Sequence, residues 1–204
     1  MIATSQFIVL AKLPYRESAL LLNGISPDYG RLSLVLHGAL KSGGGGAAVD
    51  LYRELEVEFK EEEKSTLYTV TSAELMTEFD ALAERTRPFL MAGRIGSFLL
   101  KNLPVGVPQP YTYDALRSIL HHLSGKMGEG EWTLEQCAVV IKTAYLYENG
   151  LLPEGATDRQ RDFLENLVAA GIDNSELPES ASGYWHQLNG WLNALLDYHQ
   201  LARG

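Results

Sequence analysis

Between Phe7 and Gly38 three short apolar runs follow one another with turn formers between them, a pattern that commits the start of this chain to antiparallel strands. Phe7-Ile8-Val9-Leu10 is the first, Ala19-Leu20-Leu21-Leu22 the second, and Leu32 to His37 the third. Pro14-Tyr15 punctuates the first connection. Pro27-Asp28-Tyr29-Gly30 fills the second, with glycine where a turn needs a positive φ. A fourth strand is announced by Glu54-Leu55-Glu56-Val57-Glu58-Phe59, a strict alternation in which Leu55, Val57 and Phe59 face a core and the three glutamates face water. Lys60 to Ser65 reads as a charged hairpin loop, and Leu67 to Thr71 as a fifth strand rich in β-formers. Gly43 to Gly46 reads as a flexible connector after the third strand; it lacks the Lys-Ser/Thr and the strand-to-helix context of a phosphate loop. This rhythm suits a small β-barrel of any type.

From Ser72 the apolar period turns helical through Leu75, Met76, Phe79 and Leu82, which predicts a helix capped by Ser72. Pro88 opens the next, Phe89 to Asn102, whose Ala92, Gly93, Gly96 and Ser97 permit close helix contact. Pro104, Pro108 and Pro110 enforce a loop, and Asp114 to Ser124 is a further helix, followed by a glycine-rich loop (Gly125, Gly128, Gly130). The Thr133-to-Gln136 spacing predicts a helix start, and the segment to Asn149 is polar only along Glu135, Lys142 and Asn149, so it belongs inside a bundle. Thr157 to Gly171 is amphipathic. Tyr184, Leu188, Trp191, Leu195 and Tyr198 share one side of the last helix. The chain thus divides into a barrel over residues 1–72 and an α-helical domain over 73–204, an α+β protein.

The composition narrows the chemistry. The lone Cys137 suits a reducing compartment and cannot build a four-cysteine zinc site, and its place on the enclosed helix reads as core packing. Five scattered histidines do not replace it, and the adjacent His121-His122 reads as a solvated helix face, so no metal and no cofactor is expected. No G-x-S-x-G, P-loop or H-E-x-x-H motif occurs, and no enzymatic step is expected. No apolar run reaches the length of a membrane span and the N-terminus lacks a signal-like pattern, which predicts a cytoplasmic protein without membrane partners. The net charge of −9 opposes nucleic-acid binding unless cations gather locally.

Residue for residue, the stretch "VLAKLPYRESALLLNGISPDYGRLSLVLHGA" resembles the opening of the bacterial DNA repair protein family RecO. "AVVIKTAYLYENGLLPEG" and "LNALLDYHQL" are similar to that family's central and closing helices. The chain departs from the family in the missing cysteine-bearing insert and in a tail after the closing helix reduced to Ala202-Arg203-Gly204. The resemblance implies that the barrel is a five-stranded OB-fold. It also implies a recombination mediator that binds single- and double-stranded DNA and anneals strands. Such a protein partners RecR, contacts the acidic tail of single-stranded-DNA-binding protein, and helps load the recombinase RecA. An OB-fold grips oligonucleotides on its second and third strands and on the loops joining strands one to two and four to five. Lys12, Tyr15, Arg16, Arg31 and Lys41 fall in that region and are the candidate DNA-binding residues, with Tyr15 or Tyr29 able to stack a base. Arg16 and Arg31 are expected at one mouth of the barrel. Glu61, Glu62 and Glu63 would repel phosphates from the fourth loop, so the other reading is a protein-interaction module with weak or no DNA affinity. For the acidic tail, the resemblance implies an apolar pocket in the helical half edged by a cation, with Arg85, Arg87, Arg94 and Lys101 the nearest basic residues.

Overall fold

The computed structural model describes residues 1–41, 49–61, 65–125, 131–153, 155, 157–181 and 183–204. Two compact units emerge: Met1–Asp80 together with Asn102–Pro110, and Ala81–Lys101 together with Tyr111–Gly204. The expected glycine connector (Gly43–Gly46), Glu62, Glu63, Gly128 and Gly130 lie outside the described residues.

The first unit is a closed barrel of five strands: β1 (Ile2–Tyr15), β2 (Ala19–Ser26), β3 (Gly30–Leu36), β4 (Glu54–Lys60) and β5 (Leu67–Thr77). Around the barrel the order is β1-β2-β3-β5-β4, closed by the pairing of β4 with β1. The parallel contact of β3 with β5 is confined to Ser33–Val35 against Leu67–Thr69, and the other pairings are antiparallel. This is the OB-fold, and the helical segments follow it. Phe7, Val9, Leu20, Leu22, Leu32, Leu34, Leu55, Val57 and Phe59 form the barrel core, each buried to 5% exposure or less. Inward residues recur every second position along each strand, as the pleat requires. Tyr68 stacks on the Phe59 ring at 5.5 Å between centroids, while Tyr29 meets it edge-on at 5.3 Å.

Two expectations fail here for the same reason, that ladder pairing outweighs local pattern. The helix expected from Ser72 does not form, because β4 pairs with β5 as far as Glu54↔Thr77 and keeps Ser72 to Thr77 extended. Leu75 and Met76 are consequently exposed, while Phe79 and Leu82 are buried, Leu82 within a short 3-10 turn at Asp80–Glu84. Glu54, expected in water, is buried to 1% exposure. The register slips between Glu54 and Leu55, so two neighbours turn inward where alternation allows one.

The proline-rich segment is more than a loop. Pro104 O accepts from Arg31 N at 2.9 Å, Tyr29 O from Gly106 N at 2.9 Å, and Pro27 O from Gln109 N at 2.8 Å, so residues 104–109 dock on the β2–β3 turn. Gly30 makes this possible. Its φ is +60°, and a Cβ there would lie 2.4 Å from Val107 O and 2.7 Å from Pro104 O, both backbone atoms that cannot swing away. Gly30→Ala is expected to lower stability by about 2 kcal/mol or more, combining left-handed strain with displacement of the docked segment. Urea unfolding checks it, and a loss below about 0.5 kcal/mol would show that the segment detaches freely.

The second unit holds α1 (Thr86–Asn102), α2 (Pro110–Leu123), α3 (Leu134–Glu148), α4 (Asp158–Asp173) and α5 (Tyr184–Tyr198). Helix α2 starts a turn earlier than expected, with Pro110 at its first position, where a missing N–H costs nothing. The Glu148 carboxylate accepts from Tyr111 N, Thr112 N and Thr112 Oγ1 at 2.6–2.9 Å, satisfying amides that no preceding residue can reach. Helix α3 begins with a capping box between Thr133 and Gln136, and Val139 to Leu146 are all buried, Lys142 included. Cys137 is fully buried and its thiol is pushed up to about 12 by burial.

On α5 the buried face is Leu188, Leu192 and Leu196, whereas Trp191 and Tyr198 are exposed and Tyr184 and Leu195 half-buried. The expected stripe is rotated because α5 meets α3 through Asn189 and Asn193, which take the Lys142 ammonium at 2.8 and 2.7 Å. His122 is likewise not a solvated residue: it is buried, stacks on Trp132 at 4.0 Å, and its Nδ1 accepts from Trp132 N. Burial pushes the His122 pKa down.

Candidate nucleic-acid interface

The strand register decides which candidate residues can act together. Tyr15 pairs with Ala19 at one end of β2, and Arg31 pairs with Ile25 near the other. Six residues of β2 separate these levels, about 20 Å at ~3.3 Å per residue. Arg16 and Arg31 therefore do not share one mouth. The expectation fails because successive hairpin turns lie at opposite ends of an antiparallel meander.

At the first end, Arg16 sits in the β1–β2 turn with φ 52°. Its guanidinium carbon lies 5.2 Å from the Tyr15 ring centroid, so the cation rests on the aromatic face while its donors stay exposed. Leu40 N donates to Ser18 O at 3.2 Å and Lys41 N to Gly38 O at 3.0 Å, bringing the exposed Lys41 to the same turn. Lys12, three residues before Tyr15, gives its ammonium to Asp50 Oδ1 at 2.8 Å. That hydrogen bond holds the Asp50 carboxyl below its ordinary range and spends the charge of Lys12 locally. Tyr15, Arg16 and Lys41 are thus brought together, with Lys12 beside them but paired.

The second end is acidic. Tyr29 donates its hydroxyl to Glu61 Oε1 at 2.8 Å, and burial first, then Glu61, pushes the phenol up to about 12. With its ring against Phe59 and its hydroxyl bound, Tyr29 is held in the barrel wall rather than presented to a base. Asp28 accepts from Ser5 Oγ at 2.6 Å in the same turn. Arg31 follows this turn, half-buried, with its backbone N–H bound to Pro104 O of the docked segment.

Residues 1–79 match the family model described as recombination protein O N terminal. The barrel unit is similar to a RecO N-terminal domain. The "PYRES" and "PDYGRLS" turns, among the residues on which the resemblance rested, lie within the matched segment. The match ends before the helical unit, and no curated protein matches the chain.

The neutralisation of Lys12 was invisible in the sequence, since Asp50 lies 38 residues away across a connector. The helical unit adds a groove of about 440 Å³ between α4 and α5, floored by Leu164 and Leu188, walled by Pro153, Tyr184 and Trp191, and edged by Gln160 and Gln187. None of the four cations expected to edge such a pocket is in its lining, because they sit on α1 or just before it. Among the described residues no group of three or more His, Cys, Asp or Glu side chains is placed to hold a metal ion, and no helix is long and apolar enough to cross a membrane.

Proposed function

We propose that this protein is a RecO-like recombination mediator of the cytoplasm, acting by binding alone. It binds single- and double-stranded DNA, anneals complementary strands, works with RecR, and takes the acidic tail of single-stranded-DNA-binding protein to help load RecA. The match of residues 1–79 to the RecO N-terminal domain carries this reading. The exposed Arg16 and Lys41 beside Tyr15 supply what the barrel needs to hold a strand: two cations for phosphate and a ring for a base. The apolar groove of Tyr184, Leu188 and Trp191 suits the aromatic end of an acidic tail. Neither role calls for zinc or any other cofactor.

Fluorescence anisotropy with a labelled oligothymidine and a labelled duplex tests the reading. Binding is expected at about 20 mM salt, falling by about tenfold or more by about 200 mM, as two to three phosphate contacts dictate. The acidic balance and the Lys12–Asp50 pair favour the second reading, an OB-fold interaction module. Absence of DNA binding even at the lower salt would establish that reading in place of the first.

A further inference from the structure

Helix α1 (TRPFLMAGRIGSFLLKN) carries three cations and no carboxylate, in a chain whose net charge is −9. Arg87, Arg94 and Lys101 recur at intervals of seven residues, so two helical turns separate each from the next. At ~100° per residue they fall with Leu90 inside an arc of about 60°. All four are exposed, Leu90 to 61%, while Ala92, Ile95, Gly96, Phe98 and Leu99 form the buried face opposite. At ~1.5 Å rise per residue the charges stand about 10 Å apart over about 21 Å.

Within the helix only Lys101, in the last turn, is favoured by the helix dipole. Among the described residues none of the three forms an ion pair. Positions three and four residues away from Arg94 and Lys101, where a carboxylate would compensate, hold Leu, Met, Ser, Phe, Pro and Val, and Glu84, three before Arg87, precedes the helix. Arg87 lies in the first turn, where the helix dipole disfavours a positive charge. A line of uncompensated cations is a surface made for a polyanion.

We propose that the outer face of α1 is a second, sequence-independent nucleic-acid contact, with Arg87, Arg94 and Lys101 each engaging a phosphate. The spacing suits an extended, uniformly charged backbone: about six base pairs span the same length at ~3.4 Å each. Gly93 and Ser97 keep the flank of the stripe low, so a backbone can approach along the helix. An acidic peptide is the poorer fit, because the stripe offers Leu90 but no pocket for side chains between its charges. The inference rests on the DNA-binding reading above and extends it to the helical unit.

The test compares the whole chain with the Arg87→Gln/Arg94→Gln/Lys101→Gln variant and, separately, with Arg16→Gln/Lys41→Gln, by anisotropy with oligothymidine and duplex across a salt series. Removing the α1 cations is expected to weaken binding tenfold or more at about 50 mM salt. It should also flatten the slope of log affinity against log salt by about two units on single strands, ~0.7 per contact. An unchanged slope in the α1 variant, with the Arg16/Lys41 variant impaired, overturns the α1 site and leaves the barrel reading intact. Failure of the parent chain to bind either DNA overturns both. Binding of a labelled poly-glutamate peptide that is lost in the α1 variant, while DNA affinity is unaltered, overturns the inference in favour of an acidic protein partner.

Discussion

Raising the pH from about 7 to about 10 is expected to stabilise the wild-type protein relative to its Lys142→Met variant. Lys142 is 8% exposed, and its ammonium is held by two neutral amide oxygens, those of Asn189 and Asn193. Burial first, and then the charge of Arg203, lower its pKa from 10.5 to about 8. Below pH 8 both folded and unfolded chains carry the proton, and the folded state bears the cost of an enclosed charge. Between about 8 and 10.5 only the unfolded chain binds it, so unfolding takes up a proton and stability climbs with pH. At about 1.4 kcal/mol per pKa unit the full gain approaches about 3 kcal/mol. Other groups titrate over this range, but they do so in both proteins, and the difference between the two isolates Lys142. Chemical denaturation at several pH values gives that difference directly; a flat one would mean that water reaches the ammonium. At neutral pH the variant's own stability combines relief of the buried charge with two amide oxygens left without a donor, each costing about 1–3 kcal/mol.

Arg16, Lys41 and Arg31 are expected to divide into two energetic groups when DNA affinity is measured. Arg16 and Lys41 meet at the β1–β2 turn, so Arg16→Ala and Lys41→Ala are expected to be non-additive, with a coupling of about 0.5 kcal/mol or more. Arg31 lies about 20 Å away along β2, beyond the ~14 Å Debye length at about 50 mM salt. Arg31→Ala is therefore expected to add to Arg16→Ala within about 0.3–0.5 kcal/mol. Its own effect is expected to be the smaller, because it is half-buried and follows the acidic turn of Asp28, whereas Arg16 and Lys41 are exposed. Double-mutant cycles at about 50 mM salt measure both couplings. Strong coupling of Arg16 to Arg31 would mean that one short strand of DNA bridges both ends of the barrel, contrary to the independent ends drawn from the register.

Much of the barrel was legible before its structure, because its signals are local. Alternating Leu55, Val57 and Phe59, the Pro-Asp-Tyr-Gly turn and, in the helical unit, the helix start at Thr133 each act over a few residues. Such patterns survive whatever the rest of the chain does. The sequence by itself determined the strand count, the five helices after Pro88, the enclosure of α3 and the likeness of residues 1–79 to the RecO N-terminal domain. What only the tertiary structure decided are matters of partnership across distance. Ladder bonds to β4 made Ser72 to Thr77 a strand against its helical period, and a slipped register turned Glu54 inward. Asp50 took the charge of Lys12, and the topology of a meander sent Arg16 and Arg31 to opposite ends. Periodicity says that a residue has a face. Only the packed chain says what that face meets, because each such contact joins residues whose separation along the chain carries no trace of it.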